Sequence, residues 1–279
     1  MENFTTIKRA RELTGLSYLG NINASSKMMR SKQYSHQYTY AIYLAPAKTS
    51  GYNVCSHSTP ECRMGCLNTS GRAGIELFSG LTMISSARIK KAKLFNEETA
   101  FFMQWLIAEI KVYRAKAKRD NYFLSVRLNA TSDINWQNVY VEGQNIFNIF
   151  PDVNFYDYTK NPFKFENKPL NYHLTFSFTG RNEELSKELL SKGFNVAVVF
   201  NVKHESELPK QFLGYQVING DLTDYRISDA KGIIVGLKWK RIANRENEKK
   251  ILNSCFVVNP NDIRCNTNVQ KEVNELVLI

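Results

Sequence analysis

FNVAVVFNV (194–202) is an almost unbroken run of branched and aromatic residues. A strand with one wet face alternates apolar and polar residues, and this one does not. It reads as a strand covered on both faces, as in a parallel sheet flanked by helices. Just upstream, NEELSKELLSKG (182–193) reads as a helix closed by Gly193, and YHLTFSF (172–178) as another strand. Downstream, YQVINGD (215–221), KGIIVGLKW (231–239) and SCFVVNP (254–260) have strand character.

The first half of the chain repeats the alternation. TYAIYLAP (39–46), NYFLSVRLNAT (121–131) and VNFYDYTK (153–160) read as strands. Between them, 75–95 and 96–119 read as helices. The second carries Phe101, Phe102, Trp105, Leu106, Ile110 and Tyr113 at helical spacing, with Asn96 as its N-cap. Residues 133–151 read as helical in part, 159–172 as a surface excursion, and 241–250 as a solvated charged segment. Strand and helix in alternation predict an α/β fold with a parallel sheet. Seven or eight strands in roughly 230 residues predict a (β/α) barrel, TIM-barrel-like and either complete or partial. The alternative is an open, doubly wound sheet, although no GxGxxG follows the first strand. We expect one domain over 1–279, with 1–37 and 241–279 as terminal extensions.

The loop after the first strand is GYNVCSHSTPECRMGCLNTSGRAG (51–74). It holds Cys55, Cys62 and Cys66, separated by six and then three residues. Its glycines and Pro60 make it a turning loop. Polar neighbours argue against three core thiols, and five cysteines in 279 residues without an apolar leader argue for a reducing compartment. We therefore expect a metal site: an iron–sulfur cluster on three cysteines, or zinc with His57, Cys255 or Cys265 as a further ligand.

If the strands are parallel, their carboxyl ends share one face, where α/β proteins place their sites. The residues gathered there are Arg127, Asn129, Ser132 and Asp133 from one strand end. Asp157 and Lys160 come from the next, Ser177 from a third and Asp221 from a fourth. Asp157 and Asp221 are candidate acid–base or nucleophilic groups, with Arg127 and Lys160 beside them as catalytic cations. Asn129, Ser132, Asp133 and Ser177 are candidates for holding a cofactor. The net charge of +11 points to a nucleotide or nucleic-acid partner. No run of eighteen apolar residues is present, so no membrane span is expected. We expect a cytoplasmic protein of a bacterial host.

The segments NVCSHSTPECRMGCLNTSGRAG, RLNATSDINW, FYDYTK, NYHLTFS, NVAVVF, VINGDLTDYRISD and GIIVGLK resemble, in order, the phage and plasmid proteins called gene product 88-like. The resemblance covers most of residues 20–240 and implies a mobile-element origin. A more distant similarity is to radical S-adenosylmethionine enzymes, in which a loop after the first strand of a partial barrel holds a four-iron cluster. It implies that Cys55, Cys62 and Cys66 hold such a cluster and that S-adenosylmethionine binds its open iron. That superfamily spaces its cysteines by three and two residues and carries a Gly-Gly-Glu pattern where this chain has RLNATSD. The leading expectation is an iron–sulfur enzyme acting on a nucleotide or nucleic-acid base. The alternatives are a transglycosylase-like base-exchange enzyme with structural zinc, and a non-catalytic nucleic-acid-binding protein.

Overall fold

The computed structural model describes residues 3–66, 82–242 and 244–265. The chain begins with α1 (Ile7–Thr14), whose first turn is capped by Thr6, and β1 (Gly20–Ile22). Next come α2 (Ser26–Ser35) and β2 (Gln37–Ile42), which is buried along its whole length. The cysteine loop contains α3 (Pro60–Met64) and leads to α4 (Met83–Glu97), α5 (Thr99–Arg119) and β3 (Phe123–Arg127). A small hairpin, β4 (Tyr140–Val141) with β5 (Gln144–Asn145), and the one-turn α6 (Ile146–Ile149) precede β6 (Asn154–Thr159). Then follow β7 (Tyr172–Ser177), α7 (Glu183–Ser191), β8 (Asn195–Phe200), β9 (Gln211–Phe212) and β10 (Tyr215–Asn219). β11 (Ile234–Lys238), α8 (Arg245–Leu252) and β12 (Val257–Val258) complete the described chain.

The main sheet is 10-stranded, in the order β1-β2-β3-β6-β7-β8-β11-β10-β9, with β12 paired to β8. Every pairing from β2 through β10 is parallel. β12 joins β8 at Val199 and Phe200, where β7 has already left at Ala197.

The expected barrel is overturned, because the sheet does not close. β1 lies antiparallel on the outer side of β2, and β9 lies antiparallel on the outer side of β10. Each antiparallel strand occupies an edge that closure would have to use. Helical crossovers also fail in places. β6 reaches β7 through a single 3-10 turn at Pro162–Phe165, and β11 inserts between β8 and β10 out of sequence order.

α5 covers the first half of the sheet. Its Phe102, Trp105, Leu106 and Ile110 are fully buried, each contributing roughly 1.5–3 kcal/mol of burial. Asn96 is not its cap. Asn96 lies in α4 and donates to the Ala92 carbonyl, and Glu98 takes the cap position. Glu109 on the inner side of α5 accepts from the Leu19 and Gly20 N–H groups and from the Tyr40 hydroxyl, which ties β1 to the core. Gly193, at φ +82, follows α7 in the left-handed conformation that glycine adopts without a Cβ penalty. Two segments differ from the sequence reading. Residues 245–252 form α8, capped by Asn244, and the 159–172 excursion sends Lys164 into the interior with no exposed surface.

Candidate functional site

The cysteine loop is held at the carboxyl edge of the parallel strands from several sides. Thr59 caps α3 by accepting from the Cys62 N–H at 3.2 Å, and Pro60 opens the helix where no N–H is needed. Cys62 and Met64 pack on Ile242, Ile251, Phe256 and Val257. Gly65 allows this approach, because a Cβ there would lie 2.9 Å from Cη2 of Trp239. Glu61 pairs with Arg181 at 2.9 Å, beyond the end of β7. The Val54 carbonyl accepts from the Asp133 N–H at 2.8 Å, which joins the loop to the end of β3.

The three thiols share one neighbourhood. Burial pushes the Cys55 thiol up to about 11; the Ala47 N–H, 3.3 Å from its sulfur, opposes this, and Asp133, Cys66 and Cys62 add to it. Burial works against the Lys160 ammonium, but Cys62, Asp133 and Cys66 outweigh it and hold the charged form more firmly than usual. Arg88 feels both Tyr43 and Cys66, although burial lowers its affinity for the proton. No disulfide forms among the described residues. His57 is exposed, bonded to Ser56, and touches Phe163 edge-on. Cys255 is exposed, and Cys265 lies in a separate apolar cluster with Phe178 and Phe212.

Beneath the loop, the β3 and β6 ends form a hydrogen-bonded frame. Asp133 accepts from the Thr159 hydroxyl, the Lys160 N–H and the Lys164 ammonium. Burial disfavours its charged form, yet Lys164, with the Lys160 N–H and the Thr159 hydroxyl, outweighs burial and the carboxyl stays below its ordinary range. The Asn129 side-chain oxygen accepts from Ser132, the Ile134 N–H and Trp136. Asp157 accepts from the Asn129 N–H at 2.7 Å, Asn129 Nδ2 at 3.3 Å and the Tyr172 hydroxyl at 2.9 Å. It is 1% exposed, and burial raises it to about 6 against those bonds. Both of its oxygens are thus committed to protein donors, and it holds the frame together.

Other predicted residues stand apart from the thiols. Ser177 ends β7, where its carbonyl accepts from Asn182. Asp221 follows β10, pairs with Lys27 at 3.2 Å and accepts from the Lys238 N–H at 2.6 Å. Arg127 pairs with Asp224. The sequence reading missed Tyr43, Arg88, Lys164 and Arg226. Lys164 sits in a stretch rich in Asn, Lys and Pro, which looks solvated, and only the tertiary fold turns it inward. Among the described residues, no group of three or more His, Cys, Asp or Glu side chains stands arranged to hold a metal ion. No described helix is long and apolar enough to cross a membrane.

Fold and site together define an open, mainly parallel α/β protein with a three-thiol loop beside a half-buried lysine at the carboxyl edge of its sheet. The family model for gene product 88 matches residues 9–255, and the chain belongs to that family of phage gene products. No curated protein and no solved structure matches it.

Proposed function

We propose that the protein is a metalloprotein in which Cys55, Cys62 and Cys66 hold an iron–sulfur cluster beside a site for a nucleotide or nucleic-acid base, on which it acts as an enzyme. The observation that carries this reading is the shared neighbourhood of the three thiols around Lys160. Three thiols on one loop are a donor set that suits iron and sulfide. Loading requires the sulfurs to close together and lose their protons, as metal binding to thiols does generally. When bound, the cluster supplies one-electron chemistry or an open iron. The chain's own residues do the rest. Lys160 and Arg88 place positive charge beside the thiols, offsetting the negative charge that bound thiolates accumulate. Asp133 and Asn129 fix the β3 end beneath them. S-adenosylmethionine is the first small cofactor to try with cluster-loaded protein.

The test is anaerobic purification followed by iron, zinc and sulfide analysis with an absorption spectrum. About four irons and four sulfides per chain, lost in Cys62→Ala, support the cluster. One zinc without sulfide overturns it in favour of a structural or hydrolytic metal. Full iron retention in Cys62→Ala removes that residue from the ligand set.

A further inference from the structure

Around the loop after β10, several hydrogen-bond donors are buried without acceptors. Arg127, at the end of β3, gives its Nη1 to both oxygens of Asp224, while its Nε is buried and unpartnered. Its Cζ lies 5.0 Å from the ring centroid of Tyr158 on β6, and the Tyr158 hydroxyl is likewise buried without a partner. Arg226, on the loop after β10, is 7% exposed. Its Nη2 bonds the Thr223 carbonyl and hydroxyl at 2.9 and 3.0 Å, and its Nη1 lies 3.2 Å from Asp229 Oδ2. Its Nε has no partner. Arg226 holds Thr223 and Arg127 holds the adjacent Asp224, so the three donors lie around one loop.

Buried donors are costly to leave unmet, and native proteins rarely leave several together. Two guanidinium edges and a phenol match an oxyanion that can accept several bonds at once. Of the carboxylates present, Asp224 is already hydrogen-bonded to Arg127, and Asp229 is an ion-pair partner of Arg226 Nη1 with no hydrogen bond between them.

We infer that Arg127 Nε, Arg226 Nε and the Tyr158 hydroxyl form a phosphate-binding subsite, which holds the phosphate of a nucleotide. This deepens the proposed function and rests on its nucleotide reading. Asp224 and Asp229 act as positioning residues, holding each guanidinium so that its Nε edge faces the ligand.

Titration calorimetry on the purified full chain tests this with three probes: inorganic phosphate, a nucleoside 5′-monophosphate and the same nucleoside without phosphate. The expected result is that phosphate and the monophosphate compete for one site and the bare nucleoside binds at least about tenfold more weakly. Tyr158→Phe, which removes only the hydroxyl, should weaken both anions about tenfold, and Arg226→Gln should weaken them further. No saturable phosphate binding up to about 10 mM overturns the subsite. So does phosphate affinity that is unchanged in Tyr158→Phe, or a nucleoside that binds as tightly as its monophosphate. If Arg226→Gln fails to fold, the Tyr158→Phe comparison decides alone. Phosphate binding needs no iron, so protein that lacks iron but binds phosphate loses the cluster reading and keeps this one. Iron-loaded protein that ignores phosphate does the reverse.

Discussion

Arg127 and Asp224 are 97 positions apart in the chain, and Arg127 Nη1 lies 2.9 Å from each Asp224 carboxylate oxygen. The contact joins the two ends of the sheet. Asp224 belongs to the loop after β10, near the last edge, and Arg127 ends β3, near the first. The same loop takes a hydrogen bond from Tyr156 on β6 to Asp224 and gives the Asp224 and Tyr225 N–H groups to Ser31 on α2. A sheet left open by its backbone is thus tied across by side chains.

Breaking that tie should be expensive. The side chains of Arg127 and Asp224 are 11% and 5% exposed, so Asp224→Asn leaves a largely buried guanidinium without its counter-charge. We expect a loss of about 3–5 kcal/mol by urea unfolding, much of it recovered in the double replacement Arg127→Met with Asp224→Leu. Burial alone would raise the Asp224 carboxyl, but Arg127 and Lys27 outweigh it and lower it. Its stabilisation is therefore complete above the unfolded value of about 3.9 and fades as pH falls through the lower folded value. An Asp224→Asn variant as stable as the parent at pH 7 would show that the pair is not a tie at all.

Asp157 should give the opposite slope in a different window. Burial raises it to about 6 in the folded chain, so the folded state holds its proton where the unfolded chain has released it. The sign follows: this contribution is full below about pH 4 and is lost as pH rises through about 6, a swing of order 3 kcal/mol. Asp157→Asn removes the titration, so urea midpoints from pH 4 to 7 should decline less in the variant than in the parent. Parallel curves would show that Asp157 is ionised in the fold across the whole range.

These two aspartates mark how far the sequence could be read. The buried run at 194–202, the α5 periodicity and the glycine stop at Gly193 are local patterns, and each corresponds to an element of the fold. The position of the loop after the first parallel strand was equally legible. Closure was not, because it depends on which strands take the edges. β1 and β9 are two or three residues long and leave almost no periodic signal. The polar strand ends were visible as a group, but their division was hidden. Asp157 and Asn129 look like Lys160 in a sequence, yet hydrogen bonds commit them to the frame while Lys160 faces the thiols. Arg226 and Lys164 were missed because burial of a charged residue in a polar stretch is decided by partners far along the chain.

Glu109 gives a test of the N-terminal attachment. It is 3% exposed and accepts from two backbone N–H groups and the Tyr40 hydroxyl. Glu109→Leu fills the space but leaves three buried donors unmet, which should cost about 3 kcal/mol or more. Amide exchange at Leu19 and Gly20 should accelerate more than exchange in β7 or β8, since β1 alone loses its anchor. Uniform acceleration across the sheet would mean that β1 is not separately held by this carboxylate.

The packing of the cysteine loop on the C-terminal elements can be tested without any metal. Gly65 has ordinary backbone angles, with φ −94, so alanine there brings no conformational strain. What it brings is a Cβ 2.9 Å from Trp239 Cη2 and 3.2 Å from Trp239 Cζ3. Both are outer atoms of the indole that phenylalanine lacks. Gly65→Ala should therefore cost about 1–3 kcal/mol through overpacking. Trp239→Phe should cost a comparable amount through the space it leaves. Together they should cost less than the sum, because the new methyl enters the space the indole vacates. Urea unfolding of the four chains gives the coupling directly. Strict additivity would mean that Gly65 is not held against Trp239, and that something other than this contact positions α3 at the sheet edge.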